Sequence, residues 1–209
     1  MPDPITALKL GGAAIELTGK AIGGLQRIMP WILVQPEAAA AELASVITEI
    51  MKAPQVINQA VDALFAVIDD EKPRLAALAQ IGDGSLSREV EAKRPHCHDI
   101  ERIAARHLWQ WLNKANGPNV DELRNFLGSL QQADGDLFYG LSEFARGIEA
   151  IASEAAGLAM QHRPQDALTV LSNAAPELFA TRKAANALAL QLTEMQTQFR
   201  RRALGLPPE

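Results

Sequence analysis

Apolar residues recur at helical spacing along most of this chain, and prolines stand where several of the helical stretches begin. The spacing predicts helices over residues 36–51, 54–68 and 164–204, each of which opens with a proline. Proline suits the first turn of a helix because no intrahelical hydrogen bond needs its missing N–H. The pattern therefore restricts the 209-residue chain to helical architectures.

Glycines and further prolines predict the breaks between these helices. Residues 82–85 (Gly-Asp-Gly-Ser) predict a loop, and the spacing over residues 98–113 predicts another helix. Residues 134–136 (Asp-Gly-Asp) predict either a turn or a glycine kink within one very long helix. Pro176 is expected to divide the last helical region, because a proline inside a helix removes one hydrogen bond.

Composition agrees with the spacing. The chain has 36 alanines but only 7 threonines and 8 valines. Alanine is the strongest helix former, whereas strands are rich in β-branched residues. We predict an all-α fold, an antiparallel bundle of about six to eight helices with a long glycine-containing N-terminal amphipathic helix. Residues 1–209 are expected to form one domain, and any sub-boundary is expected near residues 82–95.

Charge and cysteine content exclude several classes of protein. With 20 basic and 25 acidic residues the net charge is -5, so the chain lacks the basic surface that nucleic-acid binding needs. The lone Cys97 excludes an intramolecular disulfide framework and is typical of a reducing compartment. The sequence shows neither a signal-peptide pattern nor an apolar run long enough to span a membrane. We expect a cytoplasmic protein, membrane-associated when activated.

One short segment carries potential metal ligands: His96, Cys97 and His98, with His107 further along. Successive helical residues point about 100° apart, so three adjacent ligands do not converge on one ion. We therefore favour a helix start without metal, and keep a metal- or small-ligand-binding helical protein as the alternative. No motif of a known catalytic class is present, so we predict no enzyme, no catalytic residue and no cofactor.

The N-terminal helix is unusual. After Pro4, apolar residues repeat every seven positions at residues 8, 15, 22 and 29, which predicts a long amphipathic helix. Five glycines interrupt it, and each costs about 1 kcal/mol relative to alanine. Two interpretations follow: a weak helix that leaves the bundle to contact a membrane, or a slim helix that nestles among its neighbours. The glycines are Gly11, Gly12, Gly19, Gly23 and Gly24.

A resemblance supports the first interpretation. The opening Met-Pro-Asp-Pro-Ile-Thr-Ala-Leu-Lys-Leu-Gly-Gly-Ala-Ala is similar to the start of fungal HeLo and HeLo-like domains. These are all-helical cell-death modules of similar length, whose first helix is implicated in membrane insertion. The similarity covers about the first 25 residues. It implies that Leu8, Leu10, Ile15, Ile22 and Leu25 contact the membrane, and that no residue is catalytic.

The sequence as a whole predicts a non-enzymatic helical interaction module. The more specific hypothesis is a membrane-active effector that acts through its N-terminal helix. Trp31, inside an apolar segment after Pro30, is an added candidate for membrane or partner contact. The expected partners are a protein or a second copy, and an anionic membrane surface. A plain homo-oligomeric scaffold is the other alternative.

Overall fold

The computed structural model describes residues 3–16, 37–69, 75–93, 102, 106 and 119–207, with the side chains of the long helix from residue 119 described from residue 139 onward. These residues are helical apart from short turns, and none of them is in a strand, so the predicted all-α class is confirmed. The helices are α1 (residues 4–16), α2 (Glu37–Ile50), α3 (Lys52–Asp69), α4 (Leu75–Ile81), α5 (Ser85–Glu91), α6 (Asn119–Met160) and α7 (Pro164–Ala203).

Several predicted boundaries agree with these bounds. α2 and α7 begin where Pro36 and Pro164 place them, and the predicted loop at residues 82–85 contains the turn between α4 and α5. α1 also begins at a proline, because Pro4 follows an N-cap, Asp3, whose carbonyl accepts the first helical bond from Ala7. The predicted helix over residues 98–113 lies outside the described residues, apart from the helical residues 102 and 106.

The two longest helices pass through the predicted breaks. The prediction that Pro176 divides the last helix is wrong, since α7 runs unbroken from Pro164 to Ala203. The carbonyl four residues earlier, on Ser172, loses its helical donor, but both residues are exposed and water can satisfy it. Residues 134–136 lie inside α6, so of the two interpretations the one very long helix is correct.

The buried apolar side chains form a continuous core that draws on every helix of the described ranges. α2, α3 and α6 contact α7, while α4 and α5 contact α6. Leu78 of α4 and Val90 of α5 are fully buried in the same core. The largest fully buried side chains are Phe144, Phe199, Leu8, Ile15, Ile47, Ile57, Leu64, Leu78, Leu141, Ile148 and Ile151.

A short turn joins α6 to α7. His162 adopts a left-handed conformation with φ 59°, and its N–H donates to the carbonyl of Ala159. The N–H of Arg163 donates to the carbonyl of Leu158, and these two hydrogen bonds together form a Schellman motif at the end of the helix. The end of α7 repeats the pattern with Gly205 in the left-handed position. Its last turn carries Arg200, Arg201 and Arg202, as suits the negative end of the helix dipole.

Candidate functional site: the docked N-terminal helix

α1 lies against both of the long helices. Leu8 contacts Gly147 of α6, and its carbonyl accepts a hydrogen bond of 3.5 Å from the Thr181 hydroxyl of α7. Ala14, nearer the end of α1, lies at Gly140 of α6. Advancing along α1 thus moves backwards along α6, so these two helices are antiparallel. We call the surface formed by Gly140, Phe144, Gly147 and Thr181 the docking groove.

Glycines bring the backbones of α1 and α6 into contact. A Cβ built on Gly11 would lie 2.7 Å from the Cβ of Phe144 and 2.8 Å from the carbonyl oxygen of Gly140. A Cβ on Gly140 would overlap the Cβ of Ala14. Neither position accepts a side chain without moving backbone, so the close approach depends on glycine on both helices.

The part of the docking groove near Gly147 accommodates a leucine side chain. A Cβ built on Gly147 would lie 3.0 Å from Cδ2 of Leu8 and 3.2 Å from the carbonyl oxygen of Pro4. Leu8 is fully buried there. The groove therefore matches α1 at separate points along the helix: a leucine at one end, and glycine and alanine at the other.

Few polar contacts fasten α1 to the groove among the described residues. One is the Thr181 hydroxyl bond to the Leu8 carbonyl, which at 3.5 Å is long. Another is the ion pair between Lys9 Nζ and a carboxylate oxygen of Glu177, also 3.5 Å, with the lysine side chain 60 % exposed. Exposed pairs of this kind contribute little to stability. Apolar contact and close fit hold α1 in place.

The start of α1 is fixed by its own cap. One carboxylate oxygen of Asp3 accepts bonds of 3.1 Å from the backbone N–H groups of Ile5 and Thr6, and the other accepts the Thr6 hydroxyl. These bonds, that of the Thr6 hydroxyl foremost, lower the pKa of Asp3 below its ordinary value of 3.8. Asp3 and Thr6 are both exposed, so the cap orders the start of the helix from its solvent side.

The predicted contact residues divide into three groups. Leu8 and Ile15 are fully buried, whereas Leu10 is 43 % exposed on the opposite side of α1. Ile22, Leu25 and Trp31 lie outside the described residues. In the docked position Leu10 is accessible to a membrane or partner, and Leu8 and Ile15 become accessible only if α1 leaves the groove.

The sequence did not single out the partners of α1. Gly140, Gly147 and Thr181 complete the groove, and none of them was a predicted site residue. The signal for the glycines was their spacing, because residues seven apart lie on one helix face, here among the buried Leu141, Phe144 and Ile148. Periodicity alone does not tell which helix covers that face.

The candidate metal ligands lie elsewhere in the chain. His96, Cys97, His98 and His107 lie outside the described residues, so the metal alternative stays a prediction. Across the described ranges no three histidine, cysteine, aspartate or glutamate side chains come together as metal ligands would. None of the helices in those ranges combines the length and apolar character that crossing a membrane requires.

Comparison with known proteins gives no relative. No protein-family model matches the chain, and no curated protein or solved structure matches it.

Proposed function

We propose that this chain is a non-enzymatic helical interaction module whose N-terminal helix is a releasable element. We place it in an antiparallel bundle of six to eight helices within a single domain over residues 1–209. The antiparallel contacts of α1 with α6 support this arrangement. So do those of α3 with α7, where Asn58 bonds Asn186 at 2.7 Å and Asp62 pairs with Arg182 at 2.8 Å.

The observation that carries the proposal is the glycine-fitted docking of α1. Such a helix gains little from its own propensity, since two of its thirteen described residues are glycine. Its buried face contributes two large side chains, Leu8 and Ile15. Burying each is worth about 1.5–3 kcal/mol, so docking of this segment is worth about 3–6 kcal/mol. Local release is cheaper than unfolding of the bundle.

Release would expose an apolar helix face and act through it. Leu8 and Ile15 would become accessible, and helical spacing extends the same face to Ile22 and Leu25. Leu10, on the other side of α1, is already exposed. An apolar stripe of this kind partitions into the boundary of a membrane or the groove of a partner protein. The resemblance of residues 1–25 to HeLo and HeLo-like domains favours the membrane, so we propose that the released helix permeabilises anionic membranes.

A reversible lock tests this proposal. A Cβ built on Gly12 lies 3.8 Å from the Cβ of Thr181, which is the mean Cβ separation in disulfides. In a Cys97→Ala background, Gly12→Cys with Thr181→Cys would tie α1 to α7 when oxidised and free it when reduced. The readout is dye release from vesicles of phosphatidylcholine and phosphatidylserine.

The expected result is at least a tenfold lower rate of dye release from the oxidised protein than from the same protein after reduction. Cys97→Ala alone, with and without reductant, controls for effects of the reductant on the vesicles. Equal release from the locked and reduced forms would contradict a role for α1 release. No release from either form at micromolar protein would contradict the membrane activity.

A further inference from the structure

We propose that the docking groove also accepts α1 from a second copy of this chain, giving a dimer with exchanged N-terminal helices. The inference depends on the release of α1 proposed above and names one partner for the vacated groove. In an exchanged dimer each groove makes the contacts of the monomer, so the exchange needs no new complementary surface between the copies.

The shape of the groove selects this occupant. Beside Phe144 and Gly140 it admits only a residue without a side chain, and further along it the Cβ of an alanine lies directly against Gly140. At Gly147 it fits a leucine of the docked helix. A helix with leucine, glycine and alanine at positions 8, 11 and 14 meets all three requirements, and α1 of another copy has that sequence.

The polar contacts allow the same exchange. The Thr181 hydroxyl bonds a backbone carbonyl, and Glu177 pairs with Lys9, so a second copy of α1 restores both interactions. A tether favours the helix of the same chain through its high effective concentration. The exchanged dimer is therefore expected to increase with protein concentration, and to be trapped when a concentrated solution is refolded.

Two single-cysteine variants detect the exchange directly. Both carry Cys97→Ala; one adds Gly12→Cys and the other, enlarged by a fused tag, adds Thr181→Cys. Neither variant can form an internal disulfide. The two are mixed, refolded together at 10 µM and at about 1 mM (near the effective concentration of a tethered segment), oxidised, and separated on non-reducing gels. A disulfide between the two chains requires α1 of one to reach the groove of the other.

The matched control replaces Thr181→Cys by Leu190→Cys. Leu190 is 62 % exposed and lies nine residues further along α7, on the opposite side of the helix at about 100° per residue. It reports cross-linking by random collision. The control chain also carries Thr181→Ala, so the hydroxyl oxygen that would lie 2.9 Å from a Cβ on Gly12 is absent from the tagged chain in both mixtures.

We expect the Thr181→Cys mixture to give at least five times the heterodimer of the Leu190→Cys mixture, and more at the higher concentration. Equal amounts in the two mixtures would overturn the exchange. Dye release that depends on the lock, without excess cross-linking, would keep the proposed function and reject the exchanged dimer. Excess cross-linking with no dye release would keep the exchange and reject the membrane activity.

Discussion

Gly11 of α1 and Gly140 of α6 face each other so closely that a Cβ on Gly11 would lie 2.8 Å from the carbonyl oxygen of Gly140. In the other direction, a Cβ on Gly140 would lie 3.3 Å from the carbonyl oxygen of Gly11. Backbone meets backbone at this point, so neither helix can yield by turning a flexible side chain. The volume of these two residues sets how well α1 docks.

Alanine at Gly140 is expected to weaken docking. Its Cβ would overlap Ala14, and overpacking of this kind costs about 1–3 kcal/mol, which exceeds the gain in helix propensity. Gly157, on the same helix, has nothing within 4 Å of an added Cβ. There, alanine should raise the free energy of unfolding by about 0.5–1 kcal/mol. Urea unfolding of the two variants measures both effects, and stabilisation by Gly140→Ala would contradict the close fit.

The cap of α1 predicts a dependence on acid pH. The pKa of Asp3 is lowered on folding, first by the Thr6 hydroxyl, so the cap contributes stability above pH 3.8 and loses it as the pH falls through the lower folded pKa. Thr6→Ala should move the pKa of Asp3 towards 3.8, whereas Thr6→Ser, which keeps a hydroxyl, should leave it low. Titration of the Asp3 carboxyl by NMR checks this. A wild-type midpoint at or above 3.8 would show that the cap is not formed.

The turn between α6 and α7 holds a removable strain. His162 has φ 59°, a conformation that costs a residue with a Cβ about 1 kcal/mol relative to glycine. His162→Gly should raise the free energy of unfolding by about that amount. His162→Ala removes the imidazole but keeps the Cβ, so it should change little. Equal stabilisation by both variants would assign the effect to the imidazole instead of the backbone.

A buried carboxylate is expected to hold α5 against α6. Glu149 is 8 % exposed, and its oxygen accepts the backbone N–H of Ser87 at 2.7 Å in the first turn of α5. Glu149→Ala leaves that N–H without its partner and should cost about 1–3 kcal/mol in unfolding free energy. Glu149→Gln keeps an acceptor oxygen and should cost less. Thermal unfolding of both variants measures these losses of stability. An equal loss in Glu149→Gln and Glu149→Ala would contradict a stabilising role for the hydrogen bond from Ser87.

The helical class and several helix bounds were predictable because they depend on local chemistry. Proline at the starts of α1 and α7, and glycines between α4 and α5, act within a few residues of themselves. The prediction at Pro176 was wrong because its outcome depends on more than local chemistry. The cost of a helical proline depends on whether water reaches the freed carbonyl, and that exposure is set by tertiary structure.

The site was only half predictable. The spacing of residues 8 and 15 identified the buried face of α1, and the slim-helix interpretation anticipated glycines in close contact. The partner face was not identified, because α6 and α1 are far apart in sequence and apolar periodicity does not pair helices. Thr181 was missed as well, since a threonine in a long helix gives no sign that it will bond the carbonyl of Leu8.

Native-state hydrogen exchange is the most direct test of the proposed release of α1 from the otherwise intact fold. We predict that the amides of Leu8 to Gly12 exchange through a partial opening, with a free energy of about 3–6 kcal/mol that falls less steeply with denaturant than that of global unfolding. Amides of Phe144 to Ile151 on α6 should exchange only through larger unfolding, at higher free energy. Exchange of both segments at the same free energy, with the same dependence on denaturant, would show that α1 leaves only when the whole fold does.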